Sequence, residues 1–503
     1  MHIATLLTMQ PRQPKMHGNR GALRKAMFSL KFCGLVIEGR KMVCPPVGVF
    51  PRRACISVLL VLVSTVLVWA EPAKVPAIPA KAIVAIGDVH GDFDDFVGIL
   101  QRTGLIDKQN HWNGGNATFV QLGDLLDRGP KPRDVMDLMM ALEKEAAQSG
   151  GRVVSLLGNH EAMNIMGDLR YVTPVNYASF ADGNSENRQK AAFAEYMKWK
   201  DKHASLLAEL AQPMEMTEAE WMARHPAGFI EQREAFGPKG KYGEWLRGHA
   251  AVAEIDGNIF LHGGIHPDLA KTKIDAMNNR IRDELKAFDA SKQYLQNENL
   301  ILPYFNLQEL NNVLRAEMIV ELKSHVPANN ERQIKIQEFS KHEDWLTVRV
   351  DGPLWFRGYD QWSEQEGAPQ VSKVLEAYKA THVVVGHTVQ KGGRMRPRFD
   401  NKVFLIDTGM LSSYYPGGRP SALEICGDGR FTAVYPDQQV VLLGPGGSPQ
   451  AGLSAEHAGT GNGTKVSENV ADLPADHICS GTSAPVGAPT AAPTTAPTAA
   501  APQ

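Results

Sequence analysis

Three short blocks of glycine, acidic residues and histidine constrain the fold of this chain more than any other feature, because each block follows an apolar run. The runs at 82–86, 117–122 and 152–157 have the pattern of strands, and helix-like spacing of apolar residues follows the first two blocks. A strand, a glycine-bounded turn and a helix, repeated in this order, predict parallel strands with polar groups at their carboxyl ends. The blocks are Gly-Asp-Val-His-Gly at 87–91, Gly-Asp-Leu-Leu-Asp-Arg-Gly at 123–129 and Gly-Asn-His-Glu at 158–161.

Later apolar runs end in the same kind of polar residue beside glycine. His262 follows the run 259–261, and His387 follows the run 383–385 through Gly386. A single histidine in such a place is more often structural, but strand ends that repeatedly deliver histidine, aspartate or asparagine favour one shared site. Oxygen and imidazole ligands without thiolate suit Mn, Fe or Zn. A carboxylate shared by two ions and completed by histidine and asparagine is typical of a two-metal hydrolytic centre.

The predicted folded domain spans residues 81–443 and contains long helical segments between its strands. Residues 162–249 are charged and mostly helix-like, which predicts a helical insertion or cap beside the site. The runs 250–255 and 259–261 predict a hairpin. A second helix-rich segment at 275–341 has no polar block bounded by glycine, so no chemistry is assigned to it. The last predicted strands are 422–426 and 431–435.

The composition and charge narrow the class of protein. Hydrophobic residues make up 43% of the chain and charged residues 21%, which is ordinary for a globular protein. The formal net charge of −2 gives no support for binding to nucleic acid or to an acidic partner. No nucleic-acid partner is therefore predicted.

The first 70 residues predict a leader with a secretory signal. Arg52 and Arg53 precede an apolar run at 56–69, and small residues at the −3 and −1 positions predict cleavage after about Ala70. Residues 71–80 form a Pro/Ala linker. The predicted location is therefore outside the cytoplasm, periplasmic or secreted. The alternative is an uncleaved signal that anchors the protein in a membrane, since the run lies near the lower limit of a span.

The last 60 residues predict a disordered tail. Residues 444–503 are rich in Gly, Ser, Pro, Thr and Ala, and such a segment cannot bury enough apolar surface to fold. After cleavage of the signal, Cys426 and Cys479 are the two cysteines that remain. A disulfide between them stays open, because Cys479 lies in the tail. No cysteine chemistry is predicted.

Taken together, these motifs resemble the phosphoprotein phosphatase branch of the calcineurin-like metallophosphoesterases. The three blocks, His-Gly-Gly at 262–264 and Gly-His-Thr at 386–388 occur in the order typical of that family. The segment 158–172 and Pro-Leu-Trp-Phe-Arg-Gly at 353–358 are closest to the Shewanella-like protein phosphatases. The resemblance implies an α/β fold with a central β-sandwich flanked by helices, and two divalent metal ions, Mn, Fe or Zn.

The resemblance also implies a role for each matching residue. The implied metal ligands are Asp88 and His90 for the first ion, Asp124 as the bridge, and Asn159, His262 and His387 for the second. His160 matches the proton donor to the leaving oxygen, Asp127 matches the carboxylate that holds it, and Arg128 and Arg357 match arginines that grip the phosphoryl oxygens. Arg170 and Tyr171 belong to the subgroup motif and are candidate substrate contacts. Glu161 is interpreted as an outer support of the site or a helix-start acid rather than a catalyst, and Asp407 is interpreted as structural.

The function implied is hydrolysis of phosphomonoesters by direct attack of a metal-bridging hydroxide. The implied substrate is a phosphoprotein carrying phosphate on Tyr, Ser or Thr. The enzymatic alternative is hydrolysis of small phosphate esters or dinucleoside polyphosphates, since one fold serves both. The alternative from another class is a binding protein that has lost turnover, but the sequence retains every matching ligand and the proton donor. The sequence does not indicate an oligomeric state.

Overall fold

The computed structural model describes residues 82–210, 216–324 and 331–448, together with Cys479. The predicted leader, the predicted linker and nearly all of the predicted tail lie outside these residues, so those predictions stay as they are. Among the described helices, none is both long and apolar enough to cross a lipid bilayer.

The strands of the described chain form two mixed sheets. The first has the order β11-β10-β9-β1-β2-β3, and the second has the order β4-β5-β6-β8-β7. The strands are β1 Ile83–Ile86, β2 Thr118–Gln121, β3 Arg152–Ser155, β4 Val252–Ile255, β5 Asn258–Leu261, β6 His382–Val385, β7 Arg396–Arg398, β8 Val403–Leu405, β9 Ala422–Ile425, β10 Phe431–Val434 and β11 Gln439–Leu443.

Parallel pairing brings the polar blocks to a common edge. Strands β1, β2 and β3 are parallel neighbours, as their sequence pattern predicts. Strands β5, β6 and β8 are parallel neighbours in the second sheet. Because parallel strands end on the same side, the turns after these strands lie together. The predicted hairpin is also present, with Ile255 paired to Asn258 across the turn.

A sandwich core lies between the two sheets, and helices cover their other faces. Ala85 and Val120 of the first sheet share one apolar cluster with Phe260 and Val384 of the second. A second cluster joins the remaining strand side chains, such as Val84, to the helices. The alternation of inward and outward side chains along each strand explains these two cores. The predicted fold class, an α/β sandwich flanked by helices, is confirmed.

The helices begin where the sequence supplies caps. Asp92 accepts a hydrogen bond from the Asp95 amide at the start of the first helix, and Ser363 and Glu366 form a capping box at the start of the last. The helices are α1 Phe93–Arg102, α2 Pro132–Gln148, α3 Asn159–Met166, α4 Pro174–Phe180, α5 Ser185–Lys202, α6 Ala204–Leu207, α7 Glu218–Arg224, α8 Phe229–Ala235, α9 Lys241–Arg247, α10 Ile274–Asn297, α11 Leu307–Ser324, α12 Glu331–Ser340, α13 Gly358–Gln361 and α14 Glu364–Tyr378. Helices α4–α9 lie within the segment predicted as an insertion, and α10–α12 lie within the second helix-rich segment.

Two strands and one disulfide were not predicted from the sequence. Strand β7 has the sequence Arg-Pro-Arg and β11 adjoins the predicted tail, and neither was predicted from its pattern. Cys426, directly after β9, is disulfide-bonded to Cys479. The pairing that the sequence left open is therefore present, and it ties this point of the tail to the first sheet.

Candidate metal centre

The turns after five strands bring the predicted metal ligands together, and we call this region the catalytic edge. Asp88 and His90 follow β1, Asp124 follows β2, and Asn159 opens α3 after β3. In the second sheet, His262 follows β5 and His387 follows β6. All of these side chains are buried, with His387 the most exposed at 6% and Asp88 next at 5%. The catalytic edge is defined by these side chains: Asp88, His90, Asp124, Asn159, His262 and His387.

The backbone of this edge is held in an uncommon conformation. Three residues of the edge, and two more in the turn that carries Asp124, have φ between 50° and 66°, a left-handed region that side chains rarely adopt. Such strain persists only where the surrounding structure requires it, and it clusters at functional sites. The close approach of neighbouring turns explains the glycines: a Cβ on Gly158 would lie 2.4 Å from the Asp124 amide nitrogen. The five residues are His90, Asp124, Asp127, Arg128 and His387.

Asp124 is the common member of two groups of potential metal ligands. One group joins Asp124 to His90 and His160, and the other joins it to His262 and His387; within each group the ligand atoms lie within 4.8 Å of one another. The Asp124 Oδ2 atom lies 3.2 Å from His262 Nε2 and 3.8 Å from His90 Nε2. Asn159 Oδ1 lies 2.9 Å from His262 Nε2. The position of Asp124 therefore fits the bridging role implied by its sequence match.

The histidine orientations fit a metal centre. Each of three histidines has one ring nitrogen within hydrogen-bond distance of a backbone carbonyl, so that nitrogen carries a proton and the ring is held with its other nitrogen toward the centre. Histidines that bind metals are oriented by the same kind of outer hydrogen bond. The pairs are His90 Nδ1 with Leu126 O at 2.8 Å, His262 Nδ1 with Leu122 O at 3.1 Å and His387 Nε2 with Trp355 O at 3.2 Å.

The charge balance of the edge also favours bound cations. Burial and the neighbouring Asp407 carboxylate raise the pKa of Asp88 well above its ordinary value. Burial likewise raises the pKa of Asp407 to about 6. Burial works in the same direction on Asp124, but His262 and His160 outweigh it and hold the pKa of Asp124 well below its ordinary value. Three buried carboxylates this close together need positive charge beside them.

A histidine and aspartate pair stands next to the ligands. His160 Nδ1 lies 2.6 Å from Asp127 Oδ2, and His160 Nε2 lies 3.8 Å from Asp124 Oδ2. Asn164 donates to the other oxygen of Asp127 at 2.9 Å. Burial opposes protonation of His160, but Asp124 and Asp127 outweigh it and raise the pKa of His160 above its ordinary value. His160 is thus held with Nε2 directed at the centre and with its protonated form favoured.

Arg128 closes the centre on its exposed side. Its Nη2 lies 3.1 Å from His160 Nε2, and its Nη1 contacts His90 Nε2. The guanidinium carbon also lies over three tyrosine rings, at 5.2 Å from Tyr171, 5.1 Å from Tyr414 and 5.4 Å from Tyr415. Arginine in such a position can bind phosphoryl oxygens through two donors.

The other two predicted arginines contact groups other than the ligand atoms. Arg357 is exposed, and its Nη1 donates to the His387 carbonyl and to Thr388 Oγ1, each at 3.0 Å. Arg170 is paired with Asp168, with Nη2 to Oδ2 at 2.7 Å, and its side chain is 67% exposed. The structure thus places Arg357 beside a ligand and holds Arg170 in a surface ion pair.

Several contributing residues were not assigned a catalytic or metal-binding role from the sequence. Glu161 accepts hydrogen bonds from the amides of Asp124 at 2.7 Å and Leu125 at 2.8 Å, so it fixes the turn that carries the bridging carboxylate. Asp407 accepts from the Gly409 amide at 3.0 Å, as a structural turn residue does, but its charge also acts on Asp88. Its place directly after β8 is the signal that could have identified it. The tyrosines at 414 and 415 follow no comparable pattern.

Comparison with known proteins agrees with this geometry. The family model for calcineurin-like phosphoesterases matches residues 81–391. The chain is 29% identical over 348 residues to an uncharacterized protein of Schizosaccharomyces pombe, covering 68% of this chain and 76% of that protein. It is 25% identical over 347 residues to Shewanella-like protein phosphatase 1 of Plasmodium berghei, covering 68% and 71%. The structure of a cold-active protein tyrosine phosphatase from a psychrophilic Shewanella aligns with a TM-score of 0.46 at 23% identity, covering 72% of this chain and 80% of that chain.

Proposed function

Because this chain belongs to the calcineurin-like phosphoesterase family, we propose that it is a metal-dependent phosphomonoester hydrolase that removes phosphate from proteins. One observation carries the proposal: two groups of potential metal ligands share Asp124, and the His160–Asp127 pair points into the same place. This arrangement joins cation binding, proton donation and a phosphate-gripping arginine within one buried edge. A binding protein without turnover would have no need of the proton donor.

We assign the metal-holding role to the catalytic edge, with two divalent ions drawn from Mn, Fe or Zn. When bound, such ions activate water as a nucleophile and offset the charge of the phosphoryl group. The donors are oxygen and imidazole nitrogen without thiolate, which suits these metals. Metal analysis of the purified protein by plasma mass spectrometry identifies the ions, and about two per chain is the expected result.

The residues around the edge each have a defined task in this reaction. Arg128 binds the equatorial phosphoryl oxygens and keeps the phosphorus in line with the attacking oxygen. His160 donates its proton to the leaving oxygen, which would otherwise depart as an unstable alkoxide or phenoxide. Asp127 holds the Nδ1 proton of His160 and stabilises its charged form. Asn164 holds Asp127 in turn.

The exposed rim favours a protein as the substrate. Tyr171 is 37% exposed and Tyr414 is 50% exposed, so the side of the centre that carries Arg128 reaches the protein surface. Aromatic rings beside a phosphate-binding arginine can stack on a phenyl phosphate. Phosphotyrosine is therefore the expected preferred residue. The similarity to a Shewanella-like protein phosphatase supports a phosphoprotein substrate.

The test compares turnover of phosphotyrosine, phosphoserine and phosphothreonine peptides with that of a dinucleoside polyphosphate, using metal-loaded full-length protein. Rapid release of phosphate from the peptides is expected, with phosphotyrosine fastest. Preference for the dinucleotide would move the function to small-molecule hydrolysis. Absence of turnover in a sample with both metals bound would contradict the enzyme proposal altogether.

We also propose that the protein is exported, with its signal cleaved after about Ala70. The Cys426–Cys479 disulfide supports this location, because such bonds form and persist in oxidising compartments. Amino-terminal sequencing of protein from the producing cell and from its medium tests the proposal. A mature chain that begins near Glu71 and carries the disulfide is expected. An intact leader on membrane-bound protein would establish the anchored alternative.

A further inference from the structure

A cavity of about 620 Å³ lies among the helices, and none of the catalytic-edge side chains lines it. Its walls come from α3, α5, α8, α9, α10 and the segment around Pro303. We call it the helical cavity. Its volume is in the range of pockets that hold small organic molecules.

Part of the lining of the helical cavity is apolar. Ile165 of α3, Ala192 of α5 and Ile230 of α8 contribute aliphatic surface, and Pro303 and Tyr304 contribute ring surface. The Tyr304 hydroxyl donates to the Ala192 carbonyl at 2.7 Å, so that its ring is fixed in place. These residues suit the hydrocarbon part of a ligand.

The charged part of the lining holds one cation more than it holds carboxylates: Arg188, Arg233, Arg247 and Lys292 against Glu195, Glu234 and Asp289. Arg247 forms a two-fold ion pair with Asp289, at 2.7 and 2.8 Å. By contrast, neither Arg233 nor Lys292 is within ion-pair distance of a carboxylate among the residues that the structure describes. Within the described part of the chain, the Lys292 ammonium has one long hydrogen bond, 3.4 Å to the Phe305 carbonyl.

Arg233 is the more deeply buried of these two cations. It is 5% exposed and donates from Nη1 to the Asn164 carbonyl at 2.7 Å, while its buried Nε has no hydrogen-bond partner among the described residues. A buried charged donor without a partner is costly unless a ligand or water satisfies it. The side chain therefore has unused hydrogen-bonding capacity beside the cavity.

The electrostatics of Lys292 agree with this geometry. Burial, with Arg233 next in effect, lowers the pKa of Lys292 to about 7. Asp289 and Glu309 act in the opposite direction but do not outweigh burial and the arginines. An anion beside the ammonium would favour its charged form.

We propose that the helical cavity binds a small organic anion, with its carboxylate or phosphate at Lys292 and Arg233 and its apolar body against Tyr304 and Ile230. The cations supply charge-assisted hydrogen bonds, and the apolar residues of the lining supply apolar contact. The cavity is thus a second ligand site, separate from the phosphoryl site at the catalytic edge.

A chain of contacts joins this cavity to the proton donor. Arg233 donates to the backbone carbonyl of Asn164, and the Asn164 side chain donates to Asp127, which holds His160. A ligand that draws Arg233 toward the cavity changes the support of α3, the helix that contains both Asn164 and His160. An occupied cavity should therefore alter turnover; this coupling, unlike the binding itself, rests on the proposed hydrolase function.

The first experiment measures binding of 1-naphthoate by isothermal titration calorimetry, with the neutral 1-naphthamide as the matched probe. Lys292→Met removes the cation, Lys292→Arg keeps it, and Lys286→Met is the control, because Lys286 lies on the same helix with a 67% exposed side chain. Naphthoate should bind at least about 10-fold more tightly than naphthamide, and K292M should lose at least about 10-fold in affinity. K292R should retain most of the affinity, and K286M should match the parent protein.

Three results would overturn the site, and two of them are comparisons between ligands or between variants. One is equal binding of the acid and the amide, and the other is unchanged naphthoate binding in a K292M variant that keeps the parent melting temperature. Undetectable naphthoate binding to the parent protein would overturn it as well. If K292M fails to fold, the comparison of naphthoate with naphthamide on the parent protein still decides the question.

The second experiment measures turnover of a chromogenic phosphate ester with and without naphthoate. A change in kcat in the parent protein that is absent in K292M supports the coupling. Binding without a change in kcat would leave the site in place and contradict the coupling. Because calorimetry needs no turnover, failure of the proposed function and failure of the site give different results.

Discussion

The catalytic edge and the helical cavity hold charged groups in different ways. At the edge, the side chains come from turns, and three histidines are fixed by backbone carbonyls with their free nitrogens facing inward. In the cavity, the cations come from the sides of helices, and Lys292 and Arg233 have few partners. The fixed side chains of the edge suit catalysis, whereas the cations of the cavity, which have few partners, suit the binding of a ligand.

The difference shows what turns contribute that helices do not. A turn at a strand end can hold a metal-ligating residue in a left-handed backbone conformation, as at Asp124 and His387. It can also bring backbone donors to the same point, as at Asp88, whose Oδ1 accepts from the His387 amide at 2.9 Å. A helix uses its own amides internally, so a helical site depends on long side chains. Positions at the edge should therefore tolerate substitution least.

Substitution of Asp124 by Asn should have the largest effect. One carboxylate serves both groups of potential ligands, and the neutral amide would weaken both. We expect kcat to fall at least about 1000-fold, since bound metal supplies several kcal/mol of stabilisation to the transition state. Metal content should fall in the same samples. Asp94→Asn is the control, because the Asp94 side chain is 74% exposed, and two bound metals with normal turnover in D124N would rule out the bridge.

Substitution of His160 by Asn should separate chemistry from metal binding. The variant removes the proton donor but leaves Asp124 and the three histidines with outer hydrogen bonds. We expect kcat to fall roughly 100- to 10,000-fold while metal content stays near the parent level, as for loss of a general acid. His111→Asn serves as the control, since that side chain is 68% exposed. If H160N loses its metals instead, His160 acts as a ligand, as its place beside His90 and Asp124 also permits.

The catalytic edge could be predicted from the sequence because its local requirements are visible there. Glycine beside Asp88, Asp124 and His387 marks turns, and the preceding apolar runs mark the strands that end at one edge. The family and the fold predicted from these motifs are confirmed. Strand ends differed by a residue or two, which is the usual uncertainty of such boundaries.

Other features depend on distant contacts that no short pattern carries. Strand β7 is recognisable only through its pairing with β8, because Arg and Pro obscure its pattern. Arg128 is surrounded by tyrosines from two segments far apart in the chain. The helical cavity combines α5, α8 and α10, and its charged residues follow the ordinary spacing of exposed helix faces. Tertiary packing alone gives them their role.

Substitution of Asn164 by Ala tests the contacts that join the helical cavity to the catalytic edge. It removes the donor to Asp127 and the acceptor for Gln232, whose amide donates to Asn164 at 2.7 Å. We expect kcat to fall about 10-fold with little change in KM, as when an outer partner of a catalytic group is lost. Asn187→Ala, an exposed position on α5, is the matched control. A rise in KM at constant kcat would instead place Asn164 in substrate binding.

Substitution of Tyr304 by Phe should have the smallest effect, and on stability rather than turnover. The change keeps the ring and removes the hydroxyl that donates to the Ala192 carbonyl. Loss of one buried hydrogen bond costs about 1 kcal/mol, measurable as a lower free energy of unfolding in urea. Tyr294→Phe is the control on α10, because the Tyr294 hydroxyl makes no hydrogen bond within the described residues. Turnover by Y304F without added anion should stay within about twofold of the parent value. A large loss of kcat would mean that the wall of the cavity supports the catalytic edge. The Tyr304 hydroxyl itself donates to the Ala192 carbonyl, which is not part of that edge.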